Sequence, residues 1–262
     1  MEEDKAAKIK NAVRNNFDES PTAYEAFEGR YGFFRDLNRK LLGKMGIPDG
    51  ADVLDIGCGT GASSFQIRDA VDESSVWGLD ISSAMLEKAR SNADDRKGIH
   101  FVEGDASRLA ELFNRKFDAV IFSASIFLIP DFRIALDGAK AVIKPRGKVG
   151  LTFMDGVYDA RGRNAFVVAD EQAKEGVNVK KPVDLAHFHA YFRKLFPREI
   201  TWHEDMLLDS AMLREFFSVP AMSAGLFPKI KYEERLPKIT RLIDGFNPGV
   251  FFRWVFMVGQ GD

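Results

Sequence analysis

Gly57, Gly59 and Gly61 alternate along Val53-Leu-Asp-Ile-Gly-Cys-Gly-Thr-Gly61, between a short apolar run and a segment of helical spacing. Glycines there let the main chain approach a ligand closely and permit positive φ. Two carboxylates frame the loop. Asp55 stands two residues before the first glycine, and Asp80 closes the next apolar run, 19 residues after Gly61. An acid in the latter place can accept both hydroxyls of a ribose. The chemistry on offer is nucleoside binding, and Asp55 separates two classes of nucleoside cofactor. A dinucleotide would bring its pyrophosphate to the loop, where each like-charge pair at about 4 Å and an effective dielectric near 20 costs roughly 4 kcal/mol. S-Adenosylmethionine brings an ammonium and a sulfonium, which a carboxylate attracts. The G-x-G-x-G spacing also departs from the G-x-G-x-x-G of dinucleotide sites. Taken singly, Asp55 could equally cap the next helix, and Asp80 and Asp105 could be turn or loop acids.

A second group of side chains could move a proton. Asp155, Tyr158, His187, His189, Tyr191 and His203 fall in a polar stretch rich in His and Phe, residues 154–207. His187 and His189 would share one face of a strand but diverge on a helix, where partners meet at spacings of three or four. The pattern predicts a helix around Asp184–Leu195, so no metal site is expected, and none of these residues stands out as a decisive base. His100 falls on an expected strand and reads as structural. Cys58 is the sole cysteine, which excludes a disulfide framework and a Cys-cluster metal site. It reads as a small residue in a crowded loop, though a helix N-terminus there would lower its pKa.

The elements that must position these groups alternate. Apolar runs at Asp52–Ile56, Ser75–Asp80, Gly98–Glu103, Phe117–Ser123 and Gly147–Phe153 predict strands. Helices are expected over Ser63–Val71, Ser82–Ser91 (capped by Ser82 or Ser83) and Arg133–Ile143. Such alternation implies a doubly wound, mostly parallel α/β sheet with ligand loops on one edge. Residues 1–45 read as a helical cap, with Ser20-Pro21 as a helix start. Residues 46–153 read as the cofactor-binding core and 154–207 as a lid insertion. Residues 208–262 are expected to complete seven strands, through a helix at Asp209–Phe217, strands at Ile230–Glu234 and Phe252–Val258, and a helix at Ile239–Phe246.

Composition narrows the partners. Among 262 residues, 37 Lys and Arg against 39 Asp and Glu leave a net charge of −2. That gives no bulk attraction to nucleic acid or to an anionic membrane. No apolar run approaches the roughly 18 residues of a membrane helix, and the start, MEEDKAAKIK, is unlike a secretory signal. A soluble, cytoplasmic protein is expected. Sixteen of the 23 Phe lie outside residues 46–152. They serve either core packing or the walls of an apolar pocket.

Asp55 to Gly61 resembles the first motif of the class I S-adenosylmethionine-dependent methyltransferases, and further likenesses follow in order. Gly78-Leu-Asp-Ile-Ser82 resembles the ribose motif, which includes Ile81, with Met85 where the family packs a side chain on adenine. Glu103-Gly104-Asp105-Ala106 resembles the adenine motif, Asp105 taking the exocyclic amine and the Ala106 amide facing the ring. Phe117 to Ser123 resembles the fourth-strand motif. Ile143-Lys-Pro-Arg-Gly147 resembles the L-K-P-G-G turn, with Arg146 in place of a glycine. The likeness is close over 46–153 and loose over 208–262. Phe17 to Tyr24 resembles the first helix of small-molecule methyltransferases such as the quinone and carrier-protein malonyl types, which puts Tyr24 at the cofactor's methionine end. The resemblance implies a Rossmann-like methyltransferase fold, with S-adenosylmethionine as cofactor and a small apolar or aromatic methyl acceptor. Ser123-Ala-Ser-Ile126 lacks the polar-Pro-Pro-aromatic motif of nucleic-acid amine methyltransferases, and one cysteine is too few for arsenic chemistry. A non-catalytic S-adenosylmethionine-binding regulator and a nicotinamide-dependent oxidoreductase are the alternatives.

Overall fold

The computed structural model describes residues 2–179, 184–246 and 249–261. Three helices come first: α1 (Glu2–Asp18), α2 (Pro21–Tyr31) and α3 (Phe33–Met45). Then β1 (Asp52–Ile56), α4 (Ala62–Ala70), β2 (Ser75–Asp80), α5 (Ser83–Ala93) and β3 (Ile99–Glu103) alternate, followed by α6 (Leu109–Leu112), β4 (Phe117–Ser123), α7 (Phe132–Val142) and β5 (Ile143–Tyr158). The remainder is α8 (Ala165–Ala173), α9 (Leu185–Leu195), β6 (Arg198–Leu207), α10 (Ser210–Ser218), α11 (Pro220–Ala224), α12 (Tyr232–Asp244) and β7 (Phe251–Gln260). The seven strands form one sheet in the order β3-β2-β1-β4-β5-β7-β6. The first five in the chain pair in parallel, and β7 runs antiparallel between β5 and β6. Chain order reverses between β1 and β4, which opens a crevice at their C-terminal ends. No helix among the described residues is long and apolar enough to cross a membrane.

The sheet is buried on both faces, as parallel strands require. Along β4, Ala119 and Ile121 enter one core with α3, α4, α10 and α12, whereas Val120 and Phe122 enter the other with α6, α7 and α9. Phe33 on α3 is an aromatic hub of the first core, meeting Phe216, Phe252 and Trp254 edge-on at 5.8–5.9 Å. The start of α3 is set by a side chain of α2. Glu28, 5% exposed, accepts from the main-chain N–H groups of Phe34 and Arg35, both at 2.9 Å. Gly32 supplies the left-handed residue between the helices, at φ 59°. The carboxylate thus takes the place of a missing N-cap side chain.

The structure corrects several expectations. Ile230–Glu234 is not a strand: α12 begins at Tyr232 and runs through Pro237. Pro inside a helix is unfavourable, but Ile239, Leu242 and Ile243 bury one face of α12, and that packing prevails. The strand missing from the sequence reading is β6, inside the stretch expected as a lid. Exposed and half-buried residues mix along it, as suits an edge strand. Ser20 does not cap α2 with its side chain: its hydroxyl donates to Asn16 O at 2.6 Å and accepts from Ala221 N. Ser82 does cap α5, accepting from Met85 N. Arg146 adopts φ 61°, the left-handed conformation that suits the glycine of the related turn.

Replacing Glu28 by Ala leaves two partly buried N–H groups at the start of α3 without their acceptor. Urea unfolding is expected to show a loss of about 1–3 kcal/mol, with a smaller loss for Glu28→Gln, which keeps one acceptor oxygen.

Candidate active site

The glycine loop is shaped from both sides of the crevice. Gly57 has φ 74°, and a Cβ on it would collide with Ser125 Cβ. The Ser125 hydroxyl donates to Ile56 O at 2.6 Å, so the chain leaving β4 locks the end of β1. Gly57 N and Cys58 N both reach Leu79 O. Asp80 completes the joint: its Oδ2 accepts from Gly59 N at 2.8 Å and its Oδ1 from Ser82 N at 2.9 Å. Burial pushes the Asp80 carboxyl up, opposed by those main-chain hydrogen bonds. Nothing lies within 4 Å of where a Gly59 Cβ would stand, so the loop faces open space.

Asp55 is wholly buried at the end of β1. Its Oδ2 accepts from the hydroxyls of Ser63 and Ser64, each at 2.6 Å, and its Oδ1 has no partner. Burial lifts its carboxyl to about 6, the two hydroxyls pulling down and the Asp80 charge adding to the rise. Tyr24 stacks on Phe34 at 5.3 Å. Its phenol is pushed well above the ordinary range by burial, then by the charges of Glu28, Asp80 and Asp55. This end of the site is therefore electronegative and suits a cation.

A cavity of about 520 Å³ opens from the loop. Gly57, Gly59, Asp80, Ile81, Met85, Gly104, Asp105 and Ala106 border one part of it, and Tyr24 and Ser123 border it as well. A recess of about 20 Å³ shares Tyr24, Gly57 and Ser123 with it, and adds Cys58 and Ser63. Asp55 and Gly61 border neither the cavity nor the recess, and Ser63, which borders the recess, donates its hydroxyl to Asp55. The other half is a chamber walled by Phe34, Phe127, Phe166, Phe216, Phe217 and Trp254. Most of the flanking Phe pack the cores; a minority build this wall.

Residues 53–147 match the family described as "Methyltransferase domain". That stretch is similar to a methyltransferase domain. Over 148 residues the chain is 33% identical to aklanonic acid methyltransferase DauC of Streptomyces sp. (strain C5), covering 55% of this chain and 65% of that protein. Over 154 residues it is 32% identical to demethylmenaquinone methyltransferase of Lactococcus lactis subsp. lactis (strain IL1403), covering 57% and 58%. These matches span less than two thirds of either relative. Among solved structures, Haemonchus contortus phosphoethanolamine N-methyltransferase 2 in complex with S-adenosyl-L-methionine aligns at a TM-score of 0.61 and 19% identity, over 95% of this chain and 60% of that one. YcgJ protein from Bacillus subtilis aligns at 0.59 and 19%, over 87% and 98%. At such identities the likeness is one of fold.

The helix α1, within the stretch expected as a helical cap, borders the cavity, a role that the motifs did not assign to it. Lys10, Val13 and Phe17 of α1 border the cavity, at spacings of three and four that could have been read from the sequence. Lys10 Nζ binds Asp105 Oδ2 at 2.6 Å and Ser107 Oγ at 2.8 Å, while Asp105 Oδ1 accepts from Ser107 N. Burial raises the Asp105 carboxyl, but Lys10 and Ser107 outweigh it and hold it below its ordinary value. Both Asp105 oxygens thus already have partners. Cys58 is buried, and burial pushes its thiol well up, against the lowering that a helix N-terminus would exert.

The candidate bases separate. His187, His189 and Tyr191 sit on α9, whose buried side is Phe188 and Phe192, and none of the three borders the cavity. His187 is exposed beside Asp184, His189 Nε2 lies 3.0 Å from Glu199 Oε1, and Tyr191 donates to Asp137. His203 is exposed on β6, and His100 stacks on Trp77 at 4.5 Å. Asp155 alone of the group borders the chamber, with the Tyr158 hydroxyl donating to its Oδ2 at 2.9 Å. Among the described residues no cluster of three or more His, Cys, Asp or Glu could hold a metal.

The raised carboxyl of Asp55 sets a sign for stability. A folded value of about 6, above the unfolded one near 4, makes the ionised form a burden on the ligand-free fold. The burden is full above pH 6 and is relieved as pH falls from about 6 toward 4. Ligand-free Asp55→Asn is therefore expected to be more stable than wild type at pH 8, by about 1–3 kcal/mol, and to lose that advantage near pH 4. Denaturant unfolding at the two pH values checks it.

Proposed function

We propose that the protein binds S-adenosylmethionine and transfers its methyl group to a small, largely apolar or aromatic molecule. The observation that carries this is one continuous cavity, running from Asp80 and the glycine loop to an aromatic chamber. The donor set fits the cofactor. Asp80 keeps lone pairs for ribose hydroxyls beyond its two main-chain donors. Met85, Gly104 and Ala106 offer an adenine slot. The unpartnered Oδ1 of Asp55 and the acids around Tyr24 favour an ammonium and a sulfonium. A dinucleotide would set its pyrophosphate against the same charges, and a pure sensor has no use for a second chamber. The two relatives are named for aklanonic acid and demethylmenaquinone, which supports a small-molecule acceptor.

When bound, the cofactor supplies an activated methyl group on sulfur. The chain's own task is alignment in a dry site. Phe34, Trp254 and Phe127 exclude water around the acceptor, and Ser123 and Tyr24 mark the passage between the two halves. We read the first part of the stretch expected as a lid as closing the acceptor end, because Asn164, Phe166, Asn178 and Val179 border the chamber. The balanced surface charge suits a small acceptor better than nucleic acid, and the free thiol of Cys58 suits a reducing cytoplasm.

Calorimetry with S-adenosylmethionine and transfer of a tritiated methyl group to pools of small metabolites, RNA and protein test the reading. Label in RNA or protein alone would end the small-molecule assignment, and absence of cofactor binding would end all of it. Asp80→Ala is expected to weaken cofactor binding by about 1.5–3 kcal/mol, as for hydrogen bonds to a charged group. Cofactor affinity should also fall as pH drops through about 6, because a cationic ligand needs Asp55 ionised. Asp55→Asn should bind more weakly at pH 8 and lose that pH dependence.

A further inference from the structure

The cavity and the small recess share four lining residues, Tyr24, Phe34, Gly57 and Ser123. What belongs at that border follows from what belongs on either side. In the reading above, the ribose lies at Asp80, and the ammonium lies toward Asp55, whose partner Ser63 borders the recess. The sulfonium joins those two parts of the cofactor, so it falls at the shared border. Gly57 has no side chain to offer there, and Phe34 offers a ring stacked on Tyr24. The polar side-chain atoms at the border are the hydroxyls of Tyr24 and Ser123. Neither is hydrogen-bonded to any of the described residues.

The backbone is bent to present Ser123. Along β4, Ala119 and Ile121 enter the core to which Tyr24, Phe34 and Trp254 belong, and strand alternation carries Ser123 to the same face. The next residue, Ala124, has φ 55°, a left-handed conformation that a residue with a Cβ rarely adopts. Two contacts hold it. Ala124 N donates to Oγ1 of the wholly buried Thr152 at 2.9 Å, and the hydroxyl of Ser125 is tied to Ile56 O. Backbone strain of this kind gathers at functional sites. Here it ends β4 at Ser123, on the edge of the crevice.

We propose that the Ser123 hydroxyl positions the methyl group for transfer, its oxygen meeting that group as a hydrogen-bond acceptor. This rests on the methyltransferase reading and deepens it. A hydroxyl to which no donor is directed keeps both lone pairs. The positive charge of a sulfonium makes the C–H groups beside it weak donors, and contacts of that kind add direction more than affinity. Tyr24 brings a second hydroxyl to the same space, and the ring of Phe34 a face that suits a cation. The acids at 55 and 80 attract the cofactor's charge, and Ser123 fixes where its methyl group stands.

Sinefungin tests this without the methyl acceptor. It carries a protonated amine where S-adenosylmethionine carries its methyl group, and an ammonium is a full donor to the same oxygen. S-Adenosylhomocysteine has nothing at that place. Both ligands are measured by calorimetry on the full chain, and the ratio of their affinities is read, so that a general loss of binding cancels. Ser123→Ala is expected to lower the preference for sinefungin about 10-fold or more, the scale of one hydrogen bond to a charged group. Ser123→Thr keeps the hydroxyl and should hold the wild-type ratio within about threefold. If Ser123→Ala fails to fold, Ser123→Cys, with a weak sulfur acceptor, should show the same fall. An unaltered ratio in the Ala or Cys variant overturns the proposal. So does an equal fall in Ser123→Thr, which would make shape and not the hydroxyl responsible. Failure of wild type to bind sinefungin while it binds S-adenosylhomocysteine also overturns it, and the methyltransferase reading survives. Failure to bind S-adenosylhomocysteine overturns both.

Discussion

Two main-chain N–H groups, those of Gly59 and Ser82, converge on the single carboxylate of Asp80. Most of the site depends on that convergence. It ties the loop after β1 to the loop after β2, and the Asp80 carbonyl extends the tie to β3 by accepting from Gly104 N. Three neighbouring loops thus hold one spacing, which the Ser125 contact with Ile56 carries across to β4. A parallel sheet leaves such loops without ladder partners at its C-terminal edge. Here a half-buried acid supplies acceptors for them, and its burden as a charge is offset by the donors it gathers.

The same logic appears at Asp55, with a different balance. Two hydroxyls stabilise its Oδ2, but Oδ1 has no donor and the carboxyl rises to about 6. The ligand-free fold carries an acid that would be better paired. Strain of this kind belongs at binding sites, where a ligand can relieve it. Glu28, Asp55 and Asp80 together give the end of the cavity near Tyr24 a field that repels phosphate and attracts onium groups.

Around this rigid edge the chain places three less regular pieces. The helix α1 crosses the end of the cavity bordered by Asp105 and is latched by Lys10 on Asp105, by Arg14 on Ile81 O and by Asp18 on Ser82. The helix α3 brings Phe34, its first turn anchored by Glu28. The bulge in β5 turns Asp155 into the chamber. The first two lie outside the run of sheet strands and crossover helices, the third interrupts one of its strands, and each adds a contact surface that a regular sheet lacks.

The glycine loop, the acids at 55 and 80 and the alternation from Asp52 to Phe153 were legible because they are local. A tight turn needs glycine where a Cβ would collide, and a parallel strand needs an unbroken apolar run. Those requirements are written within a few residues of where they act, so the sequence by itself determined the doubly wound core and the type of cofactor it suits. What lay beyond it depended on partners distant along the chain. Pro237 is tolerated because Ile239 and Leu242 find a core to fill. The mixed residues of β6 become a strand because β7 offers an open edge. The histidines of α9 turn outward because Phe188 and Phe192 claim the inward side. Asp155 enters the chamber because β7 pairs with Met154 and Gly156 and passes over the residue between them. In each case one local pattern fits two environments, and the free energy of burial against a remote element, which no short window of sequence contains, decided between them.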